Sequence, residues 1–394
     1  MTATDAAALT TFFQPVGLEG FEKRYWEQRP LLLTAGDRIG VDVLLSVPEL
    51  EQILRTQKFQ KDEVRLAQQG VEDRMERYLR PGSSELDLGA VLQRHHQGAT
   101  LILQAFDRRH SQLGAFCRAL GRQFGARTWA NIYITPAQNQ GFGAHYDTHD
   151  VLVLQVQGGK QWTVNALAVP APLPSQPYQE SLVQTPELFT TTLNEGDLLY
   201  LPRGFTHQAA TNTSLSVHIT IGLQTLTWAD VLSQLVTEEV ARNPAARRSI
   251  PRGAEGTDSA VLMERLTELM RALSFPENLA QSVRTASRRH IEASTHTADQ
   301  WSLERLEVTG VLDGVVRTAF PAHYAASPKG QGRLSAPQRD LTFPDALRPL
   351  IEDVLSGRVV PLAQIEQHLE PAAAQHFIRL LVQEGIVTPV YAHA

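Results

Sequence analysis

Two stretches decide how this chain folds and what it can bind: His145-Tyr146-Asp147, and the later run Leu199-Tyr200-Leu201-Pro202-Arg203-Gly204-Phe205-Thr206-His207. In an extended strand, residues i and i+2 point to the same side, so the side chains of His145 and Asp147 reach one point together. The later His207 closes a triangle around that point. The spacing therefore predicts a metal site with His145, Asp147 and His207 as its ligands.

Two imidazoles and one carboxylate on one face of a metal, with the other positions open, are typical of non-haem Fe(II) oxygenases. A 2-oxo acid can fill two open positions and dioxygen the third. Such a cosubstrate carries a distal carboxylate, which needs a fixed cation inside a partly dry site. Lys160, which follows the Gly158-Gly159 turn, is the candidate cation. A solvated lysine in a turn is the alternative.

Further candidates lie on two predicted strands with alternating polarity. Asn131 and Tyr133 share one strand face, and either can hydrogen-bond a cosubstrate; ordinary strand decoration is the alternative. His218 and Thr220 share the face of a later strand. We count Asn131, Tyr133 and Thr220 as candidate cofactor-binding residues. We expect His218 to be a pocket-lining or satisfied buried histidine rather than a fourth metal ligand.

The composition predicts a soluble globular protein. The chain has 394 residues, 42% hydrophobic and 20% charged, and its net charge of −6 gives no attraction to nucleic acid or to an anionic membrane. The single cysteine, Cys117, cannot form an internal disulfide, and its helical pattern predicts core packing. No signal-peptide pattern and no long apolar run are present. We therefore expect a cytoplasmic protein without a membrane span.

The hydrophobic pattern changes along the chain. The first 125 residues are mixed, with predicted helices at 47–55 and 110–124 and a strand at 100–104. Residues 129–223 follow a period of two, and their many short strands predict a sandwich or barrel. After Thr225 the pattern becomes helical, with predicted helices at 227–241, 257–273 and 277–293.

The last block of the chain, residues 343–390, follows a predicted polar break at 327–337 and has the order helix, helix, helix, strand. The helices are predicted at 347–355, 362–369 and 372–383. That order fits a winged-helix module. A DNA-binding module would carry a basic surface, whereas in this block six acidic residues outnumber three arginines. We therefore expect structural or partner packing rather than nucleic-acid binding.

Several stretches resemble the JmjC-type ribosomal oxygenases. In chain order they are Phe21–Leu32 with Tyr25-Trp26 and Arg29-Pro30, Asn131–Pro136, Gln140–Phe142 with His145–Asp147, Val153–Trp162, and Gly196–Gln208. The order of regions is similar as well. The resemblance implies an α+β fold class: a double-stranded β-helix (jelly-roll, cupin-like JmjC) barrel, then a helical dimerisation region, then a C-terminal winged helix. The implied domains are residues 1–226, 227–298 and 299–394.

The resemblance also implies a function. It matches His145, Asp147 and His207 to iron ligands, Lys160 to the cation that pairs with 2-oxoglutarate, and Asn131 and Tyr133 to the cosubstrate pocket. The chain would be an Fe(II)- and 2-oxoglutarate-dependent dioxygenase, a homodimer that hydroxylates a His or Arg of a ribosomal protein. An N-methyl-lysine demethylase and a non-catalytic cupin-like regulator or scaffold are the alternatives.

Two residues depart from the family pattern. Thr148 follows the candidate metal ligand Asp147, where several relatives have a second acid, and Gly222 stands where a small hydroxyl residue is expected. Both lie near the expected substrate entrance. They leave the iron ligands intact and concern which target side chain is accepted.

Overall fold

The computed structural model describes residues 9–37, 44–83, 85–176, 185–250, 259–272, 283, 286–287, 290, 312–317, 323–326, 330–335, 340–356, 358–383 and 386–391. The chain divides into two compact units, Met1–Ser294 and Thr295–Ala394. The helical region after the strands lies within the first unit, and the three-domain division stays a prediction. None of the described helices is long and apolar enough to cross a membrane.

Along the chain of the first unit, helices lie before, between and after the strands. Its elements are α1 (Gly17–Arg24), β1 (Leu31–Leu33), α2 (Val47–Thr56), β2 (Val64–Gln68), β3 (Val71–Glu72), α3 (Leu88–His96), β4 (Thr100–Leu103), α4 (Ser111–Phe124), β5 (Ala126–Thr135), β6 (Asp150–Gln157), β7 (Lys160–Leu167), β8 (Glu187–Leu193), β9 (Leu198–Leu201), β10 (Phe205–Thr211), β11 (Ser216–Thr225), α5 (Trp228–Arg242) and α6 (Ser259–Ala272).

Local sequence signals set the helix ends. α2 begins after Ser46, whose side chain accepts a hydrogen bond from the Glu49 backbone while the Glu49 side chain accepts one from the Ser46 backbone. Thr227 and Asp230 form the same reciprocal cap at the start of α5. α4 ends at Gly125, whose φ of 60° is the left-handed conformation that glycine adopts without strain.

Two antiparallel sheets form the centre of the first unit. One has eight strands in the order β1-β9-β6-β11-β5-β4-β2-β3, and the other has three in the order β10-β7-β8. Apolar side chains from β6 and β9 of the large sheet pack in one cluster with side chains from β7 and β8 of the small sheet: Val151, Val153, Leu199 and Leu201 with Trp162, Val164 and Leu193. The two sheets therefore face each other.

The predicted barrel is not closed. Among the described residues, the segment that carries the metal motif pairs with β10 through the isolated bridges His145↔His207 and Gln140↔Ala210, not through a continuous ladder. The connection between β5 and β6 contains Gly141 and Gly143, which disfavour regular strand pairing, so this segment forms bridges instead of a ladder. The opening that results between the sheets contains a cavity.

The helical region follows the predicted order. α5 and α6 occupy the first two predicted helices, and the third, at 277–293, falls mostly outside the described residues. Val231 and Leu235 of α5 pack with Ala286, so one face of α5 is buried within its own unit. Cys117 is buried in α4, in agreement with the predicted core packing.

The second unit contains β12 (Leu312–Arg317), β13 (His323–Ala326), β14 (Gln331–Ser335), β15 (Asp340–Pro344), α7 (Arg348–Leu355), β16 (Val359–Pro361), α8 (Leu362–Ile365), α9 (Pro371–Gln383) and β17 (Val387–Tyr391). Its sheets have the orders β16-β12-β17 and β13-β14-β15. The polar break predicted at 327–337 is wrong, because β14 lies within it. Leu334 is the one apolar side chain of β14, so the strand had no visible alternation.

A candidate iron centre and cosubstrate pocket

A cavity of about 560 Å³ lies between the two sheets of the first unit. One side is formed by alternate residues of β5 and β11, and another by residues of β7 and β10. Every candidate site residue from the sequence contributes to its lining, namely His145, Asp147, His207, Lys160, Asn131, Tyr133 and Thr220. Residues that are more than 60 positions apart in sequence thus meet in one space.

Backbone pairing brings the two parts of the metal motif together. The His145 amide donates to the His207 carbonyl at 3.0 Å, and the His207 amide donates to the His145 carbonyl at 2.8 Å. The Gly204 amide also donates to the Asp147 carbonyl at 3.0 Å. The predicted extended strand is therefore a short bridged segment, but its alternation holds: Tyr146 is buried in the protein while its neighbours on either side line the cavity.

Three potential ligand atoms converge on one point. One side-chain atom from each of His145, Asp147 and His207 lies within 4.8 Å of the other two. The distance from Nε2 of His207 to Oδ2 of Asp147 is 3.5 Å. This is the one group of three or more potential metal ligands among the residues that the structure describes.

Hydrogen bonds on the far side of each imidazole fix its orientation. Nδ1 of His145 lies 2.9 Å from the Gly143 carbonyl, and Nδ1 of His207 lies 3.1 Å from the Phe205 carbonyl. A carbonyl oxygen only accepts, so each Nδ1 carries the proton and each Nε2 has a free lone pair. Metal-binding histidines commonly have such a partner, which selects the tautomer.

The protonation states also suit a divalent cation. Burial, with the neighbouring His145, lowers the pKa of His207 to about 4, so this imidazole is neutral at pH 7. Burial alone would raise the pKa of Asp147, but the imidazoles of His149, His145 and His207 outweigh it, and the pKa lies below its ordinary value. A neutral imidazole and a charged carboxylate are the forms that bind metal.

A second polar group lies deeper in the cavity. Lys160 is only 4% exposed, and its ammonium donates to Oγ1 of Thr135 at 3.0 Å. It has no carboxylate partner among the described residues, and burial lowers its pKa to about 7. His218 is also buried, and its Nδ1 has no hydrogen-bond partner in the described part of the chain. Unmet polar groups of this kind fit the oxygens of an anion.

The remaining candidates form cross-strand pairs above Lys160. Tyr133 pairs with His218 and Asn131 with Thr220 in the β5–β11 ladder, and the rings of Tyr133 and His218 stack at 4.8 Å. The side-chain oxygen of Asn131 accepts a hydrogen bond from the Ala105 backbone amide, which leaves the side-chain NH₂ group of Asn131 as a donor. Burial, with the charge of Asp147, raises the pKa of Tyr133 to about 12, so its hydroxyl keeps its proton.

Several residues that line the cavity had no role assigned from the sequence. They are Arg65, Gln104, Trp129, Phe142 and Trp162. Trp129 lies two residues before Asn131, so the strand alternation offered a signal for it. Arg65 comes from β2, where no local pattern points to a site. His149 also lines the cavity and packs against Trp129.

Comparison with known protein families identifies the central region. Residues 100–231 match the family model of the JmjC domain. The chain is 33% identical to human ribosomal oxygenase 1 over 264 residues, which are 62% of this chain and 40% of that protein. It is 26% identical over 329 residues to a Drosophila persimilis protein named bifunctional lysine-specific demethylase and histidyl-hydroxylase NO66, covering 82% of this chain and 48% of that one. The chain thus spans about half the length of these relatives.

A solved structure shares the fold over nearly the whole chain. The Escherichia coli ribosomal oxygenase YcfD, in complex with cobalt and 2-oxoglutarate, has a TM-score of 0.53 at 17% identity, covering 94% of this chain and 97% of that one. This likeness shows the fold, a cupin-like arrangement of antiparallel sheets with helices. The JmjC resemblance read from the sequence is confirmed.

Proposed function

We propose that this chain, a JmjC-domain protein related to the ribosomal oxygenases, is an Fe(II)- and 2-oxoglutarate-dependent dioxygenase that hydroxylates a His or Arg side chain of a ribosomal protein. One observation carries the proposal: His145, Asp147 and His207 converge in the same cavity as the buried Lys160 ammonium. A metal triad alone fits many reactions. Its combination with a buried cation that has no carboxylate partner among the described residues fits a metal-chelating acid with a second carboxylate.

The donor set suits iron. Imidazole and carboxylate ligands bind Fe(II) well, and three ligands on one face leave positions open for substrates. His145 and His207 would hold the ion through Nε2, and Asp147 would hold it through a carboxylate oxygen. When bound, Fe(II) with 2-oxoglutarate and dioxygen supplies the oxidising power that inserts one oxygen atom into a C–H bond, with succinate and carbon dioxide as coproducts.

The protein residues bind the cosubstrate and exclude water. Lys160 would pair with the distal carboxylate, and Thr135 holds its ammonium in place. His218 and Tyr133 lie beside it and offer a ring nitrogen and a hydroxyl. Because these groups are buried, each bond to the carboxylate forms away from water, where it is strongest. The complex of YcfD with cobalt and 2-oxoglutarate supports this assignment.

A second candidate function is removal of a methyl group from N-methyl-lysine at the same iron centre. The name of the Drosophila relative, which includes both a lysine demethylase and a histidyl-hydroxylase, supports this second candidate function. The two reactions differ in their products. Demethylation releases formaldehyde, whereas side-chain hydroxylation leaves the target heavier by one oxygen atom.

We also propose the assembly and location of the protein. It would form a homodimer through α5 and α6, which carry exposed apolar side chains, and its C-terminal unit would be a winged-helix module that packs against protein rather than nucleic acid. The similarity to ribosomal oxygenases supports a cytoplasmic location.

The test is turnover by the iron-loaded protein. We expect succinate formation from 2-oxoglutarate with ribosomal-protein peptides, together with a mass gain of one oxygen atom on the peptide. His145→Ala should abolish both, and the matched variant His96→Ala, at an exposed histidine, should not. Failure to bind Fe(II) or Co(II) would contradict the enzyme assignment. Formaldehyde release from a methylated peptide without hydroxylation would favour the demethylase.

A further inference from the structure

The cavity face of β5 and β11 consists of three cross-strand pairs, and the last differs from the others. Tyr133 stands opposite His218, and Asn131 opposite Thr220. In the third pair, Trp129 stands opposite Gly222, so the largest side chain lies opposite a residue that has no side chain. Gly222 is also the position where the family resemblance predicts a small hydroxyl residue.

Gly222 provides space for the Trp129 indole. A Cβ atom at position 222 would lie 2.5 Å from Cε2 and from Cζ2 of Trp129, closer than real Cβ atoms approach other atoms. Gly222 does not have a positive φ, so its backbone conformation does not require glycine. The indole therefore occupies the place that a side chain at position 222 would take.

Trp129 forms a wall of the cavity next to the metal motif. Its ring lies 4.8 Å from the ring of His149, two residues after Asp147, and both rings line the cavity. Lys160, by contrast, lies at the opposite end of the same strands. There it donates a hydrogen bond to Thr135 on β5, and its charge acts on His218 on β11. The cosubstrate end and the aromatic wall are thus separated along β5 and β11.

We propose that Trp129, held over β11 because position 222 is glycine, is the surface on which the target side chain lies, and that the site accepts a flat, uncharged side chain. This inference rests on the proposed function and adds to it the class of target. A flat ring gains from stacking on an indole beyond its burial. Trp129 is a specificity-determining residue, since it touches the target and not the metal.

The charges of the cavity select against a cationic target. Asp147, a proposed iron ligand, is the one carboxylate among the described residues that line it. Arg65 lines the same cavity, and its positive charge is already paired with Glu72 outside the lining. A guanidinium would therefore meet no free carboxylate among the described residues that line this space. A neutral imidazole meets no such penalty.

A methyl group at position 222 tests the wall. β11 is hydrogen-bonded to β5 on one edge and β6 on the other, so its backbone cannot move aside and the Trp129 ring has to shift. We expect Gly222→Ala to raise the KM for a histidine-containing peptide by about three- to tenfold, the size of a lost aromatic contact. The matched Gly36→Ala, whose new Cβ meets no atom within 4 Å, should leave it unchanged.

A second set of variants keeps the test valid if Gly222→Ala folds poorly. Trp129→Ala should raise the peptide KM, and Trp129→Phe should raise it less because a flat ring remains. Phenylalanine is also smaller, so Trp129→Phe should partly rescue Gly222→Ala. A role of Trp129 in stability alone would not produce this order of KM values. The Kd for 2-oxoglutarate, measured by calorimetry with Co(II), should be the same in every variant.

The outcomes separate this inference from the proposed function. Normal cosubstrate binding with a peptide KM that is indifferent to Trp129 would overturn the inference alone. A preference for the same peptide with arginine in place of histidine would also overturn it. Failure of the unaltered protein to bind 2-oxoglutarate would overturn the proposed function, and the inference with it.

Discussion

A buried ammonium group without a carboxylate partner is costly, and Lys160 is such a group among the described residues. Lysine burial of this kind is disfavoured unless a ligand restores the missing charge. Its hydrogen bond to Thr135 positions the ammonium but adds no negative charge. The free energy lost in the unliganded protein is thus recovered when an anion binds.

The affinity for 2-oxoglutarate should depend on pH through Lys160. Burial lowers its pKa to about 7 in the unliganded protein, and a bound carboxylate raises it again. Binding therefore takes up a proton above pH 7, and the affinity should be highest below pH 7 and fall by up to about tenfold per pH unit above it. Calorimetry at pH 8 in two buffers of different ionisation enthalpy should show uptake of close to one proton.

Pyruvate is the control ligand for this measurement, since it keeps the 2-oxo acid group but lacks the distal carboxylate. Its binding to the Co(II) protein should take up no proton at pH 8. Equal proton uptake with both acids would place the titrating group elsewhere. Undiminished 2-oxoglutarate binding by Lys160→Met would remove Lys160 from the cosubstrate site.

Single residues were predictable from sequence where chemistry and spacing coincide. For His145 and Asp147, strand alternation predicts that both side chains lie on one face. The ligand set of two imidazoles and one carboxylate then requires a second histidine, which His207 supplies. Trp129 was missed because an aromatic residue on a strand is usually core. Its role depends on the empty place at Gly222, in a strand 93 positions later, and only the register of β5 with β11 reveals that.

The start of β10 is held by a buried ion pair. The Arg203 guanidinium donates to Oδ2 of Asp150 at 2.9 Å, and its backbone amide donates to Oδ1 at 3.2 Å. The Tyr200 hydroxyl donates to the same carboxylate at 3.0 Å. These contacts fix the starts of β6 and β10 relative to each other. Asp147 lies three residues before Asp150, and His207 lies four residues after Arg203, so the pair positions two candidate metal ligands.

Breaking this pair should weaken both the fold and the metal site. Burial raises the pKa of Asp150 despite the nearby Arg203. The free energy of removing the two charges from water therefore offsets much of their attraction. Arg203→Gln leaves that carboxylate buried without its charge partner. We expect it to lower the unfolding free energy of the first unit by about 3–5 kcal/mol in urea and to reduce Co(II) affinity.

The matched control is Arg55→Gln, which breaks the exposed pair of Arg55 with Glu51 on α2. An exposed pair of this spacing contributes less than about 1 kcal/mol, and Arg55 is remote from the motif in sequence. We expect its stability and Co(II) affinity to match those of the parent. Equal effects of the two variants would show that the buried pair does not position the ligands.

Elements were predictable where the hydrophobic period was strong. Predicted helices at 47–55 and 110–124 are α2 and α4, and the predicted strand at 100–104 is β4. β14 was missed because a polar strand with a single buried side chain has no period to detect. That the barrel is not closed could not be predicted for a different reason. Whether two sheets share a ladder depends on backbone pairing across the Gly141–Gly143 segment, which side-chain patterns do not report.

At the scale of the whole molecule, α5 has two apolar faces. One packs inside the first unit through Val231 and Leu235. The other carries Trp228, Leu232 and Val236, which are 72%, 55% and 39% exposed. Their spacing of four residues places them along one side of the helix. A row of exposed apolar side chains with this spacing is typical of a surface that binds another protein, and a second copy of this chain is the proposed partner.

Leu232→Glu should therefore separate the proposed dimer. A charge at the centre of the row would have to be desolvated, and the apolar burial of one leucine, about 1.5–3 kcal/mol, would be lost. The dimer Kd should rise by more than about tenfold, so that light scattering after size exclusion at micromolar concentration detects monomer. Val71→Glu, at a side chain that is 69% exposed on β3, is the matched control and should remain dimeric. A monomeric parent protein at that concentration would contradict the proposed assembly. It would not contradict the proposed enzyme activity, because the candidate iron site lies within one chain.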